Sequence, residues 1–135
     1  MSVSFENSET RLNLMRAFAG ESQARNRYTY AAGLAKRKGL EVVQQVFLFT
    51  ADQERAHGKV FYDLLQPMAG QTIQIDGGYP VDLYSDMLDN LKAAQHNEEE
   101  EHDMVYSSFS KIAAQEGFDA IAHTFTMIAG VEKTH

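Results

Sequence analysis

Two short motifs, Glu54-Arg55-Ala56-His57 and Glu132-Lys133-Thr134-His135, each place a glutamate three residues before a histidine in segments that read as helix. Residues three apart lie on the same face of an α-helix, about one turn from each other. In both segments this face is also the apolar one, which indicates that the polar groups point into a core. Buried charges require a partner, so the motifs suggest a site rather than a solvated surface.

Around these motifs the chain reads as four long helices with three breaks. The predicted helices run from Asn7–Ser8 to Lys38, from Leu40 to Gln66, from Val81–Asp82 to Glu116 and from Phe118 to His135. Gly39 and Gly117 make two breaks tight, which predicts that the helices on either side of each break are antiparallel neighbours.

The middle break, Pro67–Pro80, is fourteen residues long and includes a β-prone piece, Thr72–Ile75. Fully extended, such a segment spans about 46 Å, whereas the second predicted helix is about 40 Å long. The segment can therefore cross a whole helix. The expected fold is all-α: a ferritin-like four-helix bundle of two antiparallel hairpins joined by one long crossover, as a single domain over residues 1–135.

Apolar stripes spaced alternately by three and four residues follow all four predicted helices, and carboxylates interrupt every stripe. The stripes are Leu14, Ala17, Glu21, Ala24, Tyr28, Ala31 and Ala35; Val43, Phe47, Thr50, Glu54, His57, Phe61 and Leu64; Met87, Leu91, Ala94, Glu98, Glu101, Val105, Ser108 and Ile112; and Ile121, Phe125, Ile128, Glu132 and His135. Tyr28 reads as core by position and Tyr106 as a surface or interface residue, while His96, His102 and His123 fall off the stripes and are expected to be exposed.

Five glutamates on one core cannot all stay ionised without compensating charge, because burial and mutual repulsion raise carboxyl pKa values. A pair of divalent cations would supply that charge. Oxygen ligands with two imidazoles and no thiolate favour iron or manganese, with zinc as a further occupant. The predicted ligands are Glu21, Glu54, His57, Glu98, Glu101, Glu132 and His135.

The arrangement of these ligands matches a di-iron carboxylate bundle, in which two helices give one glutamate each and the other two give Glu-x-x-His. The two hairpins also repeat each other, since Glu54 follows Glu21 by 33 residues and Glu132 follows Glu98 by 34. Glu101 is an extra ligand that breaks this symmetry.

Composition narrows the function further. The chain of 135 residues is 44% hydrophobic and 23% charged, as in globular proteins. Its net charge of −7 argues against nucleic acid as a partner. Cysteine is absent, which excludes thiolate metal sites and disulfides within these residues. No apolar run approaches the length of a membrane span, and the expected location is the cytoplasm.

In these helix motifs the chain resembles the rubrerythrin family. The matching stretches are Ala19-Gly20-Glu21-Ser22-Gln23-Ala24-Arg25-Asn26-Arg27-Tyr28, Thr50-Ala51-Asp52-Gln53-Glu54-Arg55-Ala56-His57, Glu98-x-x-Glu101 and Glu132-x-x-His135. The likeness covers essentially the whole chain. It implies a non-haem di-iron protein that reduces hydrogen peroxide to water.

The resemblance also implies roles for the residues. It implies that Glu54 and Glu132 bridge two irons, that Glu21 is terminal on one iron, and that Glu98 and His135 bind the other. On the first iron, Glu101 would bind in the oxidised state and His57 in the reduced state. Tyr28 and Tyr106 match tyrosines that line the family's site, which assigns both of them a supporting role there.

This chain departs from typical rubrerythrins in two features. Typical rubrerythrins carry a C-terminal rubredoxin-like domain with four cysteines, and no such domain is present in these 135 residues. Electrons are therefore expected from a separate donor such as a rubredoxin. The fourth helix is short and its last ligand is His135, so we expect the natural chain to continue beyond it. The family's usual unit is a homodimer, and the long crossover would allow the two chains to exchange hairpins.

The leading hypothesis is a di-iron peroxidase. A ferroxidase or iron-handling protein of the ferritin type uses a similar ligand set, and Glu101 together with His57 favours the peroxidase, because a ligand exchange needs an extra ligand. A helical interaction module is a further alternative, in which arginines such as Arg25 or Arg55 pair with the buried glutamates.

Overall fold

The structure, a computed structural model, describes the backbone of residues 3–133 and the side chains of residues 3–101 and 104–130. The helices are α1 (Glu9–Arg37), α2 (Glu41–Asp63), α3 (Met87–Glu100), α4 (Ser107–Gln115) and α5 (Asp119–Lys133). A π-helical turn, Glu101–Tyr106, joins α3 to α4, and short 3₁₀ turns occur at Phe5–Asn7 and Gln66–Met68. Residues 3–133 form no β-strand, so Thr72–Ile75 does not adopt the structure its composition favours.

Two tight hairpins build the bundle, as predicted. Gly39 and Gly117 adopt left-handed backbone angles, with φ of 72° and 92°, which favour glycine. After each glycine the next amide bonds back to a carbonyl five residues earlier: Leu40 N to Ala35 O at 2.9 Å, and Phe118 N to Ala113 O at 2.8 Å. α1 packs against α2, and α5 packs against α4. The all-α, ferritin-like helical architecture is confirmed.

The crossover is longer than predicted at both ends. α2 ends at Asp63 rather than Gln66, because the chain tightens into a 3₁₀ turn that contains Pro67. α3 begins at Met87 rather than Val81–Asp82. Asp86 is the N-cap of α3, and its Oδ1 accepts a hydrogen bond from Leu88 N at 2.9 Å.

The register of the second hairpin changes at the π-helical turn. Val105 and Ser108, which the stripe places in the core, are exposed. Tyr106 and Ala113 are buried instead, and Phe109 is partly buried. The interpretation of Tyr106 as a surface tyrosine from its position is therefore wrong. A π-helical turn holds more residues than an α-helical turn, so it moves the buried face one residue along the chain.

Two apolar clusters form the core, with a polar layer between them. The first cluster contains Leu14, Ala17, Phe61, Leu65, Met68, Ile73, Tyr106, Phe125 and Ile128, and the second contains Ala24, Tyr28, Ala32, Ala35, Phe47, Ala51 and Met87. Glu21 lies on α1 between Ala17 and Ala24. The second hairpin packs on α1 through α3 and α4.

The N-terminus of α1 is hydrogen-bonded to the turn of the second hairpin. The Glu116 carboxylate accepts hydrogen bonds from Glu9 N at 2.9 Å and Thr10 N at 2.8 Å. These amides belong to the first helical turn, which has no partners within the helix. None of the helices within residues 3–133 is long and apolar enough to cross a lipid bilayer.

Candidate metal centre

The polar layer contains two carboxylates that are almost completely buried. Glu21 on α1 is 0% exposed and Glu54 on α2 is 1% exposed. Both helices are regular here, so the stripe pattern placed these side chains correctly in the core. Burying two ionised carboxylates together is costly unless positive charge or hydrogen bonds compensate them. The layer therefore has the electrostatics of a cation site.

His57 joins the two carboxylates. One ligand atom from each of Glu21, Glu54 and His57 lies within 4.8 Å of the others. His57 Nδ1 is 3.8 Å from Glu21 Oε2. The three-residue spacing of Glu54 and His57 puts both on the same face of α2. Three predicted ligands thus converge on one point between the helices of the first hairpin.

Gly58 on α2 faces Glu21 across the first hairpin. A Cβ built on Gly58 would lie 3.5 Å from Glu21 Cβ and 3.7 Å from Phe18 Cδ1. Those distances are ordinary van der Waals contacts, so alanine would fit at this position as well, and a side chain larger than alanine would meet α1.

Tyr106 connects the first hairpin to Glu101. Its hydroxyl oxygen lies 2.6 Å from Glu21 Oε1 and 2.6 Å from Glu101 Oε1. A phenol has one hydrogen to donate, so it can satisfy only one ionised carboxylate. Both contacts form hydrogen bonds at the same time when one of the two carboxyl groups carries a proton. The Tyr106 hydroxyl thus links Glu21 of the first hairpin to Glu101 of the second.

Tyr28 makes an equivalent contact on the other side of the layer. Its hydroxyl donates to Glu98 Oε1 at 2.9 Å. Burial raises the pKa of the Tyr28 phenol well above its ordinary value, and the nearby carboxylates of Glu98 and Glu54 raise it further. The hydroxyl therefore keeps its proton and remains a donor to Glu98.

The π-helical turn explains how Glu101 and Tyr106 reach the same point. They are five residues apart, a spacing that places two side chains on different faces of a regular α-helix. The wider turn brings both to the inner face, and π-turns of this kind often occur at functional sites. Glu98 and Glu101 are half-buried, in contrast with Glu21 and Glu54.

The predicted site is only partly within the described side chains. Glu21, Glu54, His57, Glu98 and Glu101 lie around the polar layer. The side chain of Glu132 and the whole of His135 lie outside the described residues. His96 and His123 are exposed, as predicted, and the His102 side chain is also outside the described part.

The residues present fit a cation such as iron or manganese. Carboxylate oxygens and an imidazole nitrogen are the donors that these metals accept, and the chain has no thiolate. The alternative with arginine partners is not supported: Arg25 and Arg55 are exposed, and neither forms an ion pair with a glutamate among the described side chains. A cation explains the buried carboxylates better.

Sequence reasoning missed two features near the site. The first is the shift that buries Tyr106. A signal for it exists, because Glu21 precedes Gly39 by 18 residues while Glu98 precedes Gly117 by 19. The second is Tyr79 of the crossover, which lies close to Gly20 and Glu101. No periodic pattern in the sequence identifies a residue in an extended segment as a neighbour of the site.

The known proteins that this chain is similar to are rubrerythrins. The family model described as Rubrerythrin matches residues 13–135. The chain is 42% identical over 133 residues to a rubrerythrin of Clostridium perfringens, covering 98% of this chain and 68% of that protein. It is 42% identical over 135 residues to a rubrerythrin of Porphyromonas gingivalis, covering 100% and 66%. It is 41% identical over 132 residues to a rubrerythrin of Nitratidesulfovibrio vulgaris, covering 98% and 68%. The chain thus spans about two thirds of these relatives.

Proposed function

Because the chain belongs to the rubrerythrin family, whose members are typically iron-binding proteins that scavenge peroxide, we propose that it is a non-haem di-iron oxidoreductase that reduces hydrogen peroxide to water. The observation that carries the proposal is the polar layer, where Glu21, Glu54 and His57 converge and Tyr106 links them to Glu101.

Seven residues would hold two metal ions. Those with described side chains are Glu21, Glu54, His57, Glu98 and Glu101, and we propose that Glu132 and His135 complete the set. Glu54 and Glu132 would help to hold both ions. α5 carries Glu132 in its last turn, fifteen residues after Gly117, just as Glu54 follows Gly39 by fifteen. This equivalence supports Glu132 as the counterpart of Glu54.

Reduction of one hydrogen peroxide breaks the O–O bond, consumes two electrons and two protons, and releases two water molecules. A pair of bound ferrous ions supplies the two electrons and orients the substrate oxygens. Manganese or zinc are substitutes in the same ligands, and zinc would hold the geometry without redox chemistry.

The chain's own contribution is to bind the cations and to hold protons beside them. The Tyr106 hydroxyl shares hydrogen bonds with Glu21 and Glu101, and the Tyr28 hydroxyl donates to Glu98. Both phenols are buried, so water does not compete for these contacts. Tyr106 and Glu101 are the groups placed to deliver a proton at the edge of the layer, and Tyr28 holds Glu98 in orientation.

Glu101 favours the peroxidase over a ferroxidase of the ferritin type. It is a half-buried carboxylate held by Tyr106 next to a site that already has three convergent ligands. With this additional carboxylate, His57 and Glu101 would be alternative ligands for one ion in its reduced and oxidised states. A ferroxidase that only oxidises and releases iron has no need of that exchange.

Electrons must be returned to the site after each turnover. The 135 residues contain no cysteine, so a cysteine-ligated iron that delivers electrons would lie outside them. We propose a separate donor such as a rubredoxin. A homodimer, with or without exchanged hairpins, is the proposed assembly, and the cytoplasm is the proposed location.

The test is a comparison of oxidants. The protein is loaded anaerobically with ferrous ion and mixed in a stopped-flow instrument with either hydrogen peroxide or oxygen. We expect oxidation by peroxide to be much the faster. Tyr106→Phe should slow it, because the hydroxyl that hydrogen-bonds to Glu21 and Glu101 is lost, whereas Tyr30→Phe, at a position 66% exposed, should not. Equal rates with the two oxidants, or reaction with neither, would contradict the proposal.

A further inference from the structure

The groove between α1 and α2 opens to solvent on the side of the first hairpin that carries Glu54. It contains a cavity of about 390 Å³, and Glu54 and Gly58 are among the residues that line it. The cavity therefore extends from the protein surface to one of the two almost completely buried glutamates. A molecule that binds at this groove lies close to the proposed metal centre.

Two arginines border this groove and carry uncompensated charge. Arg25 on α1 and Arg55 on α2 both line the cavity and are exposed. Within the described side chains, neither arginine forms an ion pair or a side-chain hydrogen bond. The third cation of the groove, Lys59, is paired with Asp63 at 2.7 Å, so those two charges cancel. The exposed side chains that line the groove are therefore positive overall.

An aromatic pair lies farther along the same groove. Phe18 and Tyr62 stack with ring centroids 4.5 Å apart, both line the cavity, and Tyr62 is 56% exposed. On each helix seven residues separate the aromatic residue from the arginine, which is about 10 Å along the helix axis. Aromatic side chains and arginines are enriched at protein–protein interfaces. The groove thus combines an apolar contact with positive charge, as expected of a surface that binds a protein of opposite charge.

The charge of the groove contrasts with that of the whole chain. With 19 acidic and 12 basic residues the chain has a net charge of −7, which repels an acidic protein at long range. Elsewhere on α1, Arg16 and Arg27 are paired with carboxylates. Lys36–Lys38 form a further basic surface, but it begins about 22 Å along α1 from Glu21. Of these basic surfaces, the groove is the one that reaches the buried carboxylates.

Resting on the proposed function, we infer that this groove is the docking surface for the electron donor, and that the donor is a small acidic protein with a cysteine-ligated iron, such as a rubredoxin. Arg25 and Arg55 attract the donor, and Phe18 and Tyr62 give it an apolar contact. Such a donor carries one electron, whereas reduction of one hydrogen peroxide consumes two electrons and two protons. Two donor molecules are therefore oxidised, one after the other, for every two water molecules released.

The first measurement is binding to the metal-free protein, which does not depend on peroxide chemistry. An oxidised rubredoxin of negative net charge is titrated into the protein by calorimetry. Binding should be clear at about 0.05 M salt, where charges interact over about 14 Å, and weak at about 0.5 M, where they interact over about 4 Å. The double variant Arg25→Glu/Arg55→Glu should raise the Kd about tenfold or more. The control Lys36→Glu/Arg37→Glu changes the net charge equally, far from the groove, and should leave the Kd nearly unchanged.

The second measurement is electron transfer to the iron-loaded protein after its oxidation by peroxide. Reduced rubredoxin is mixed with it in a stopped-flow instrument, and the visible absorption of the rubredoxin is followed. Arg25→Glu/Arg55→Glu should lower the rate about tenfold or more at low salt, because charge steers the encounter. Tetramethyl-p-phenylenediamine, an uncharged small reductant, should reduce this variant as fast as the wild type. Equal slowing with both reductants would overturn the inference, because the substitutions would then have damaged the centre itself.

A third variant tests the apolar part of the groove. Tyr62→Ala should weaken rubredoxin binding, whereas Tyr30→Ala, at a position 66% exposed that does not line this groove, should not. Equal effects of the two charge-reversal double variants would overturn the inference, as would a wild type that rubredoxin neither binds nor reduces at low salt. If peroxide does not oxidise the iron-loaded wild type, the proposed function fails, and binding to the metal-free protein still tests the groove.

Discussion

The two hairpins of this bundle share a plan but differ in regularity. In the first, α1 and α2 are uninterrupted helices of 29 and 23 residues, and their glutamates Glu21 and Glu54 are fully buried. In the second, a π-helical turn divides α3 from α4, and Glu98 and Glu101 are only half-buried. The glutamates of the proposed site therefore lie in a closed environment in one half and in a more open one in the other.

One residue accounts for the difference. After the turn glycine the two hairpins match, because Glu54 follows Gly39 by fifteen residues and Glu132 follows Gly117 by fifteen. Before it they differ, because Glu21 precedes Gly39 by 18 residues and Glu98 precedes Gly117 by 19. The π-helical turn lies within that interval and absorbs the extra residue. The flanking core positions stay in place, and the inner face gains room for both Glu101 and Tyr106.

The contrast suggests that the two hairpins have different roles in the proposed site. We propose that the regular hairpin holds Glu21 and Glu54 in fixed positions, because close-packed helices resist displacement. The irregular hairpin carries the residue proposed to exchange with His57 during turnover. Changes that disturb the contact between the halves should therefore cost stability, and changes confined to the π-helical turn should mainly cost activity.

The largest effect is expected where the halves meet. Phe61 on α2 is 0% exposed and stacks on Phe125 of α5 with ring centroids 5.2 Å apart. Phe61→Ala should lower the free energy of unfolding by about 3–5 kcal/mol, because it leaves a cavity between the hairpins. Val42→Ala, at a position 78% exposed on the same helix, should change it by less than about 0.5 kcal/mol. Denaturant unfolding of the metal-free proteins measures both.

Removing the extra residue tests the π-helical turn directly. Deletion of Met104, whose side chain is 69% exposed, allows regular hydrogen bonding from α3 into α4. We expect the free energy of unfolding to change by less than about 1 kcal/mol, and the rate of oxidation by peroxide to fall about a hundredfold as Glu101 moves relative to Tyr106. A deletion variant with a much lower free energy of unfolding but a normal rate of oxidation by peroxide would show that the turn serves stability instead.

A smaller effect is expected where the N-terminus of α1 is hydrogen-bonded to the turn of the second hairpin. Glu116 accepts hydrogen bonds from two amides in the first turn of α1. Glu116→Ala should lower the free energy of unfolding by about 1–2 kcal/mol, as for the loss of a helix cap. Glu116→Gln keeps an acceptor and should lose less. Equal losses in the two variants would mean that the charge, rather than the hydrogen bonds, ties the ends.

The smallest effect concerns pH and Asp76 in the crossover between the hairpins. The hydrogen bond from Arg16 lowers the pKa of the exposed Asp76 carboxyl below its ordinary value of 3.8. A lowered pKa in the folded state stabilises the protein above that ordinary value and ceases to do so as the pH falls through the folded-state pKa. Asp76→Asn should therefore lower stability slightly at neutral pH and flatten its dependence below about pH 4. Parallel curves for the two proteins would contradict this.

The regular half of the molecule could be predicted well from the sequence. Amphipathic spacing is reliable along uninterrupted helices, so Glu21, Glu54 and Tyr28 were placed in the core correctly, and Gly39 and Gly117 marked the hairpin turns. Those positions depend on local periodicity and on backbone conformations that favour glycine.

The irregular parts could not be predicted in the same way. Periodicity assumes a constant number of residues per turn, so it failed from Val105 onward, where the π-helical turn shifts the buried face. The start of α3 was also predicted too early, because Asp82 forms tertiary contacts with Arg27 and Asn97 that no local pattern contains. Tyr79 is brought to Glu101 only by the path of the crossover.

The central claim is that the polar layer binds a pair of metal ions with ligands from both hairpins. The most direct measurement is the amount of iron per chain after anaerobic loading with ferrous ion and removal of unbound metal. We expect close to two per chain in the wild type and a clear loss in Glu54→Ala, with no loss in Glu99→Ala, an exposed neighbour of Glu98. Iron close to zero in the wild type, or an equal amount in all three proteins, would contradict it.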